Sequence, residues 1–274
     1  MAAFVRPGVG GTSNTETDWM SQANPSQEPA AAASRKTLGA TTYRDFIAEL
    51  LRKKGARNYL EIGVRDGATL AKAECHSIGV DPNFTLKHDP LGRKRVLHLY
   101  QMTSDEFFRD HDPRDVFRGS VDVAFLDGLH LFEYLLRDFI NTERTCDRRS
   151  VILLDDCLPP NIEMTERTHR PEQRRDQAVA QWWTGDVWKV VSILRELRPE
   201  LRITPVDVRP TGSIMVSNLD PDSTVLYERY FQIIDRYRDL QFTPDSFETY
   251  WTVNRPVAAE TLLHEFDLSL YIRA

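Results

Sequence analysis

Two short apolar runs, each followed by acidic residues, constrain the fold of this chain more than any other feature. Residues 121–126 lead into Asp127, and residues 151–154 lead into Asp155 and Asp156. The stretch between the runs carries apolar residues at the spacing of an amphipathic helix. Strand, helix and strand at this spacing predict a βαβ crossover, in which the two strands are parallel and adjacent or nearly so. Both sets of acids would then lie at the same edge of a sheet.

That edge is a candidate functional site. Ligands of open α/β sheets bind outside the carboxyl ends of the strands, so we expect one cleft to contain Asp127, His130, Asp155 and Asp156. An extended strand cannot point Asp155 and Asp156 the same way. Either the chain turns there, or only one of the two is a ligand. Plain structural roles are the alternative, since Asp127 and Asp155 could cap helices and His130 could be an ordinary residue at a helix start.

The rest of the sequence predicts an α/β protein. Apolar runs that read as strands alternate with helical patterns from residue 42 onward, and an antiparallel hairpin follows. The fold class is therefore a doubly wound, mostly parallel seven-stranded sheet that ends in an antiparallel hairpin. The predicted strands are 59–64, 76–80, 95–100, 121–126, 151–154, 203–208 and 213–217, and the early helices are 42–54, 68–74 and one that begins at Asp105 after a cap at Ser104.

Composition shifts divide the chain into three predicted parts. Residues 1–36 are polar, without an apolar period, and predict a disordered N-terminal tail. Residues 37–218 form the ligand-binding domain, and residues 219–274 a helical extension packed on it. Residues 158–181 are polar and proline-containing. Because this stretch is long for a connection inside a compact domain, it indicates a functional lid or a disordered loop.

Charge and cysteine content exclude several functions. A net charge of −6 and a pI of about 5.7 disfavour a nucleic-acid partner, which requires a clustered positive surface. No signal peptide is visible, and no apolar run approaches the roughly 18 residues of a membrane helix, so we expect a soluble protein without a membrane partner. Three cysteines without CxxC spacing fit the reducing cytoplasm.

A second candidate site follows the first strand. Residues 61–67 read Glu-Ile-Gly-Val-Arg-Asp-Gly, and their two glycines let a ligand approach the backbone closely. Glu61 suits a cationic or amino-bearing ligand better than a pyrophosphate. Asp81, at the end of the second strand, can accept hydrogen bonds from ribose hydroxyls. Together they predict an adenosine-containing ligand without phosphates, although a plain tight turn and a solvated strand end would explain the same residues.

The combined motifs resemble those of the class I S-adenosylmethionine-dependent methyltransferases. The residues concerned are the 61–67 turn, Asp81, Asp127-Gly-Leu-His130 and the acid pair Asp155-Asp156. Within that class, the sequence is most similar to the metal-dependent O-methyltransferases of macrolide and aminocoumarin sugar tailoring. The resemblance covers about residues 40–218 and implies a Rossmann-like fold.

The resemblance also implies a role for each motif residue. The methionine part of the cofactor S-adenosyl-L-methionine would be held by Glu61, Gly63 and Gly67, the ribose by Asp81, and the adenine by residues near Thr103 and Ser104. At the second site, Mg²⁺ or another divalent cation would be bound by Asp127, Asp155 and Asp156. The resemblance makes His130 the catalytic base beside Asp127.

The chemistry of methyl transfer agrees with a metal and a base at the second site. A sugar or alcohol hydroxyl is a poor nucleophile until its proton is lost. A cation held by carboxylates would orient the hydroxyl and lower its pKa, and a histidine would take the proton. The sequence thus predicts an O-methyltransferase that acts on a small hydroxylated acceptor, such as a sugar or a glycosylated natural product.

Three other functions remain open from the sequence. One is a metal-independent N- or O-methyltransferase in which His130 acts alone. Another is a catalytically silent binding or assembly module, with the aromatic-rich C-terminal region as a subunit contact in a homo-oligomer. An NAD-dependent oxidoreductase is disfavoured, because the turn lacks the third glycine of the dinucleotide motif.

Overall fold

The computed structural model describes residues 35–264, and a seven-stranded sheet forms the centre of this part of the chain. Its order is β3-β2-β1-β4-β5-β7-β6. Strands β1 to β5 pair in parallel, whereas β7 runs antiparallel to both β5 and β6. The predicted fold class is confirmed. The strands are β1 (Asn58–Ile62), β2 (His76–Val80), β3 (Leu97–Tyr100), β4 (Val121–Leu126), β5 (Cys146–Leu154), β6 (Arg202–Val206) and β7 (Ser213–Ser217).

Helices cover both faces of the sheet, each over its own apolar cluster. One face buries α1 and α9, and the other buries α2 to α8. The helices are α1 (Tyr43–Lys54), α2 (Ser104–Asp110), α3 (Pro113–Phe117), α4 (Phe132–Glu143), α5 (Trp188–Leu197), α6 (Val225–Glu228), α7 (Tyr230–Tyr237), α8 (Pro244–Val253) and α9 (Ala259–His264). Within residues 35–264, no helix combines the length and apolar character that a bilayer crossing requires.

Local sequence signals account for the elements nearest the site. Helix α1 begins after Thr42, whose hydroxyl accepts the Asp45 amide, and ends at Gly55 in the left-handed conformation with φ 63°. The predicted helix 42–54 is thus confirmed. The βαβ crossover is also as predicted, because α4 links β4 to β5 and the two strands are direct parallel neighbours.

Two helix predictions need correction. The stretch 68–74 forms only a short 3₁₀ turn, Leu70–Lys72. Ala73 is already extended, with ψ 137°, so the helix stops there, and the buried Lys94 ammonium donates to the Leu70 carbonyl at 2.8 Å. Helix α2 is capped one residue earlier than predicted, by Thr103, which forms a reciprocal capping box with Glu106.

The long connection after β5 is folded. Residues 158–187, here called the covering segment, contain three 3₁₀ turns, at Ile162–Thr165, Pro171–Gln173 and Gln177–Val179. The Arg174 guanidinium is buried within the segment, where it donates to the Ala180 carbonyl at 2.8 Å and to Glu166 at 2.9 Å. Internal polar contacts therefore order this stretch despite its low apolar content.

The C-terminal helices pack against the sheet domain. Leu226, Ile233 and Tyr237 are buried in the same cluster as α4 and α5, and the Tyr250 hydroxyl donates to the Cys157 carbonyl at 2.7 Å. Nearly all of the predicted tail, as well as residues 265–274, lies outside the described residues. The three-part division of the chain stays a prediction.

Candidate active site

Three of the four residues predicted at the edge of β4 and β5 come together. One ligand atom from each of Asp127, His130 and Asp156 lies within 4.8 Å of the other two. The His130 imidazole lies between the acids, with Nε2 3.4 Å from Asp127 Oδ1 and Nδ1 3.1 Å from Asp156 Oδ2. Two carboxylates and an imidazole in this arrangement form a candidate metal site within residues 35–264.

The fourth predicted residue, Asp155, faces elsewhere. Asp156 adopts a left-handed conformation with φ 60°, so the chain turns immediately after β5 and the two side chains diverge. Asp155 Oδ1 accepts a hydrogen bond of 2.6 Å from the Ser213 hydroxyl, at the start of β7. The sequence left open either a turn at the acid pair or a single ligand from it. The structure shows both: the chain turns at Asp156, and only Asp156 lies beside His130.

Local geometry explains the placement of Asp127. Its amide donates to the Ile62 carbonyl at 2.8 Å, which ties the end of β4 to the end of β1. Gly63 makes this approach possible: it has φ 91°, and a Cβ there would lie 1.9 Å from the Asp127 carbonyl oxygen. The first predicted glycine thus joins the two candidate sites, since any larger residue would push Asp127 away.

The other predicted glycine closes the turn. Gly67 has φ 80°, and its amide donates to the Val64 carbonyl at 2.9 Å. An added Cβ would meet Leu86 at 3.1 Å and the His88 carbonyl at 3.3 Å. Gly67 is therefore needed for the turn itself and for the loop after β2 that packs against it.

The electrostatics of the cluster reflect buried charge. Burial raises the pKa of Asp155 well above its usual value, and the charges of Asp127 and Asp156 raise it further. Burial also raises the pKa of Asp156, to about 6, although His130 opposes this shift. For His130 itself burial lowers the pKa, but the two carboxylates outweigh that effect and raise it to about 10. The acids thus favour a positive charge between them.

The covering segment completes the surroundings of His130. The Trp183 carbonyl oxygen lies 2.6 Å from His130 Nδ1, and the Trp183 ring stacks on the imidazole with centroids 5.2 Å apart. His169 stacks on the Trp183 ring as well, at 5.7 Å. Sequence analysis missed Trp183, because nothing local pairs it with a histidine 53 positions away.

At the ends of β1 and β2, the two predicted acids have different surroundings. Glu61 is fully buried, with Oε2 accepting the Tyr59 hydroxyl at 2.8 Å and Oε1 without a hydrogen-bond partner among the described residues. Burial raises its pKa to about 8. The Asp81 carboxylate accepts the amides of Arg65 and Asn83, both at 2.7 Å. These amides fix the carboxylate where β2 ends, close to the glycine turn.

The residues predicted near the adenine already have side-chain partners. The Thr103 hydroxyl takes part in the cap of α2, and the Ser104 hydroxyl bonds the buried Asp138, whose pKa burial raises to about 7. An adenine there would therefore meet backbone atoms or neighbouring side chains before these hydroxyls. Sequence analysis missed Asp138, since a single acid on an amphipathic helix gives no local signal.

Comparison with known proteins agrees with this geometry. Residues 46–157 match a family model described as a methyltransferase domain. No curated protein sequence matches significantly. The structure is similar to that of the SAH-bound methyltransferase PaMTH1 from Podospora anserina, with 14% identity, coverage of 65% of this chain and 78% of the other, and a TM-score of 0.44.

Two further solved structures are similar to the same extent. One is an O-methyltransferase from Bacillus cereus in complex with SAH, with 15% identity, coverage of 65% of this chain and 83% of the other, and a TM-score of 0.46. The second is the O-methyltransferase TomG from Streptomyces achromogenes in complex with SAM, involved in tomaymycin synthesis, with 14% identity, coverage of 66% and 81%, and a TM-score of 0.46.

The domain match and the sheet order agree with each other. Residues 46–157 form a methyltransferase domain, and they lie in a sheet of the kind that the sequence motifs predicted. The domain match spans the glycine turn, Asp81 and the whole Asp127, His130 and Asp156 cluster.

Proposed function

We propose that this enzyme transfers the methyl group of S-adenosylmethionine to a hydroxyl of a small molecule, a sugar or a glycosylated natural product, with the help of a divalent cation. The observation that carries this proposal is the cluster of Asp127, His130 and Asp156 at the carboxyl ends of β4 and β5. Ligands of doubly wound sheets bind at that edge.

The donor set fits a hard or borderline divalent cation. Asp127 and Asp156 would supply carboxylate oxygens, which Mg²⁺ and Mn²⁺ both accept, while the His130 imidazole, which contacts both acids, is kept for the proton. Burial of Asp156 supports the same view, because buried carboxylates near one another need a positive charge to remain ionised. Asp155, which the sequence also suggested as a ligand, would first have to release Ser213.

A bound cation would lower the pKa of an acceptor hydroxyl and hold it in place. The same cation would offset the charge of the two carboxylates and so favour the neutral His130 imidazole, which would then receive the proton. Because Nδ1 faces the Trp183 carbonyl, the proton is accepted at Nε2, on the Asp127 side of the ring. The acceptor oxygen forms a bond to the methyl carbon, the carbon–sulfur bond breaks, and its electron pair stays on sulfur as S-adenosylhomocysteine leaves.

The cofactor would lie along the ends of β1 and β2. The unpaired Oε1 of Glu61 supports a role in binding the ammonium of the methionine part. The Asp81 carboxylate retains lone pairs for the ribose hydroxyls beyond its two amide contacts. The 63–67 turn would face the methionine carboxylate, and the region of Thr103 and Ser104 the adenine.

A metal-independent transferase is the second candidate. The observation in its favour is that the His130 ring contacts both acids at once, at 3.4 and 3.1 Å. A protonated imidazole there balances their charge without a cation. In that case His130 would first have to release this proton, and its neutral form would act as the base with Asp127 and Asp156 as its orienting partners.

A methyl-transfer assay separates the two candidates. The full chain is incubated with S-adenosylmethionine labelled in the methyl group and a panel of free sugars, glycosides and amines, with Mg²⁺, with Mn²⁺ or with excess EDTA. We expect O-methylated sugar or glycoside products only when a cation is present, with S-adenosylhomocysteine affinity unchanged by EDTA. Undiminished turnover in EDTA would support His130 alone, and N-methylated products would contradict the hydroxyl acceptor.

A further inference from the structure

We infer that Asp186 is a positioning residue that fastens the covering segment to the start of α4 and thereby fixes the His130 ring. This inference rests on the proposed function, since it concerns how that candidate base is held. Asp186 lies at the end of the covering segment, and 2% of its surface is exposed. The Asp186 carboxylate bonds Phe132, Arg167 and Lys189 rather than the imidazole, so Asp186 acts on His130 through neighbouring residues.

Asp186 supplies the cap that α4 otherwise lacks. The N-cap residue of α4, Leu131, has no side chain that could accept a backbone amide. Asp186 Oδ1 accepts the Phe132 amide instead, at 2.9 Å, from a position 54 residues away. A carboxylate at a helix N-terminus satisfies an unpaired amide and interacts favourably with the helix dipole.

Two cations hold the other carboxylate oxygen. Asp186 Oδ2 accepts from Arg167 Nη1 at 2.5 Å and from Lys189 Nζ at 2.8 Å. Arg167 also pairs with Glu133 in the first turn of α4. The covering segment is thus joined to this helix by the Arg167 and Glu133 pair as well as by the Asp186 cap.

Between these anchors the two backbones lie in direct contact. Gly185 has φ 56°, and a Cβ there would lie 1.7 Å from the His130 carbonyl oxygen. Two residues earlier, Trp183 provides the carbonyl and the ring that contact the imidazole. Because only one residue separates Gly185 from Trp183, a shift of Asp186 would move the Trp183 contacts on His130.

The test follows the His130 ring by NMR in the full chain. Histidine side chains are labelled with ¹³C and ¹⁵N, and the His130 signals are assigned by their loss in His130→Gln. Stacking on Trp183 should give these signals a ring-current shift, which is measured in Asp186→Ala and Asp186→Asn. The matched control is Glu143→Gln, which breaks the buried ion pair with Arg198 at the other end of the same helix.

We expect the ring-current shift of His130 to be lost or broadened in Asp186→Ala and retained in Glu143→Gln, although both variants are destabilised. Mn²⁺ affinity should fall about 10- to 100-fold in Asp186→Ala only, as for residues that orient metal ligands. If Asp186→Ala does not fold, Asp186→Asn decides. Its amide oxygen can still cap Phe132, but the charge that pairs with Arg167 and Lys189 is gone, so we expect the ring-current shift of His130 to be reduced.

His130 signals that stay unchanged in the folded Asp186 variants would overturn the inference. So would an equal change in Glu143→Gln, which would reduce the role of Asp186 to general stability. Absence of Mn²⁺ binding in the unmodified chain would count against the proposed metal and leave the NMR comparison to decide on Asp186.

Discussion

The two halves of the active-site edge are built in different ways. At the ends of β1 and β2, each acid has its own hydrogen-bond partners: Glu61 pairs with Tyr59, and Asp81 with the amides of Asn83 and Arg65. At the ends of β4 and β5, the cluster joins residues from separate segments. Asp127 and His130 precede α4, Asp156 follows β5, and Trp183 belongs to the covering segment.

This difference has a consequence for how each half responds to change. In the β1 and β2 half, each acid is held by partners that the other does not share, so substitutions there should act one at a time. In the β4 and β5 half, the groups contact one another directly, and their effects should be strongly coupled. The cofactor and the acceptor chemistry should therefore be separable by mutation.

The largest effect is expected from His130→Gln. If His130 is the base, methyl transfer should fall by about two to four orders of magnitude, because glutamine cannot take the proton. S-adenosylhomocysteine affinity, measured by titration calorimetry, should stay within a factor of about two of the unmodified chain.

The matched control for that variant is His169→Gln. His169 also stacks on Trp183 but is not part of the cluster. Its replacement should leave most of the transfer rate intact. Near-normal rates for His130→Gln would make the histidine a structural residue and remove the proposed distinction between the two halves.

A smaller effect, confined to the other half, is expected from Asp81→Ala. Loss of a charged hydrogen-bond acceptor for the ribose should weaken S-adenosylhomocysteine binding by about 10- to 100-fold. Mn²⁺ affinity should not change. The control is Asp89→Ala, which removes an exposed acid from the same loop. Equal losses in both variants would show that loop order, rather than a ribose contact, is responsible.

The last prediction concerns pH and Glu61, and it is an effect on stability rather than on transfer or binding. The pKa of Glu61 is raised from 4.5 to about 8 by burial, so the folded state holds a proton that the unfolded state releases. The corresponding stability is fully present below pH 4.5 and is lost as the pH rises through 8. Without cofactor, the unmodified chain should lose up to about 1.4 kcal/mol per pH unit relative to Glu61→Gln over this window.

Thermal unfolding of both chains between these pH values measures the difference. Parallel Tm profiles for the unmodified chain and Glu61→Gln would mean that Glu61 is ionised in the folded state throughout. Bound S-adenosylhomocysteine should flatten the profile of the unmodified chain, since an ammonium beside Glu61 favours the ionised carboxylate.

Most of the parallel sheet was predictable because its signals are local. Apolar runs that end at Asp81, Asp127 and Asp155 gave the strands, and Thr42 and Gly55 marked the ends of α1. The sequence also indicated that Asp155 and Asp156 could not face the same way, because neighbouring side chains of a strand point to opposite faces. Only the coordinates show that Asp156 is the member that lies beside His130.

The covering segment was not predictable for the opposite reason. Its order depends on ion pairs such as Arg167 with Glu133 and Arg174 with Glu166, some of which join residues far apart in the chain. Such pairs leave no apolar period to read. Asp186 and Trp183 likewise contact residues at the start of α4 that are more than 50 positions away. The sequence therefore indicated a lid or a disordered loop, but not the residues that hold it in place.

Mn²⁺ binding tests the central claim most directly. The full chain, saturated with S-adenosylhomocysteine, is titrated with Mn²⁺ and compared with Asp127→Asn, Asp156→Asn and Asp155→Asn. The account predicts one saturable site per chain, weakened by about 100-fold or more in Asp127→Asn and Asp156→Asn and much less in Asp155→Asn. Mn²⁺ affinity that is the same in all four proteins, or no binding in any, would contradict a metal site at Asp127, His130 and Asp156.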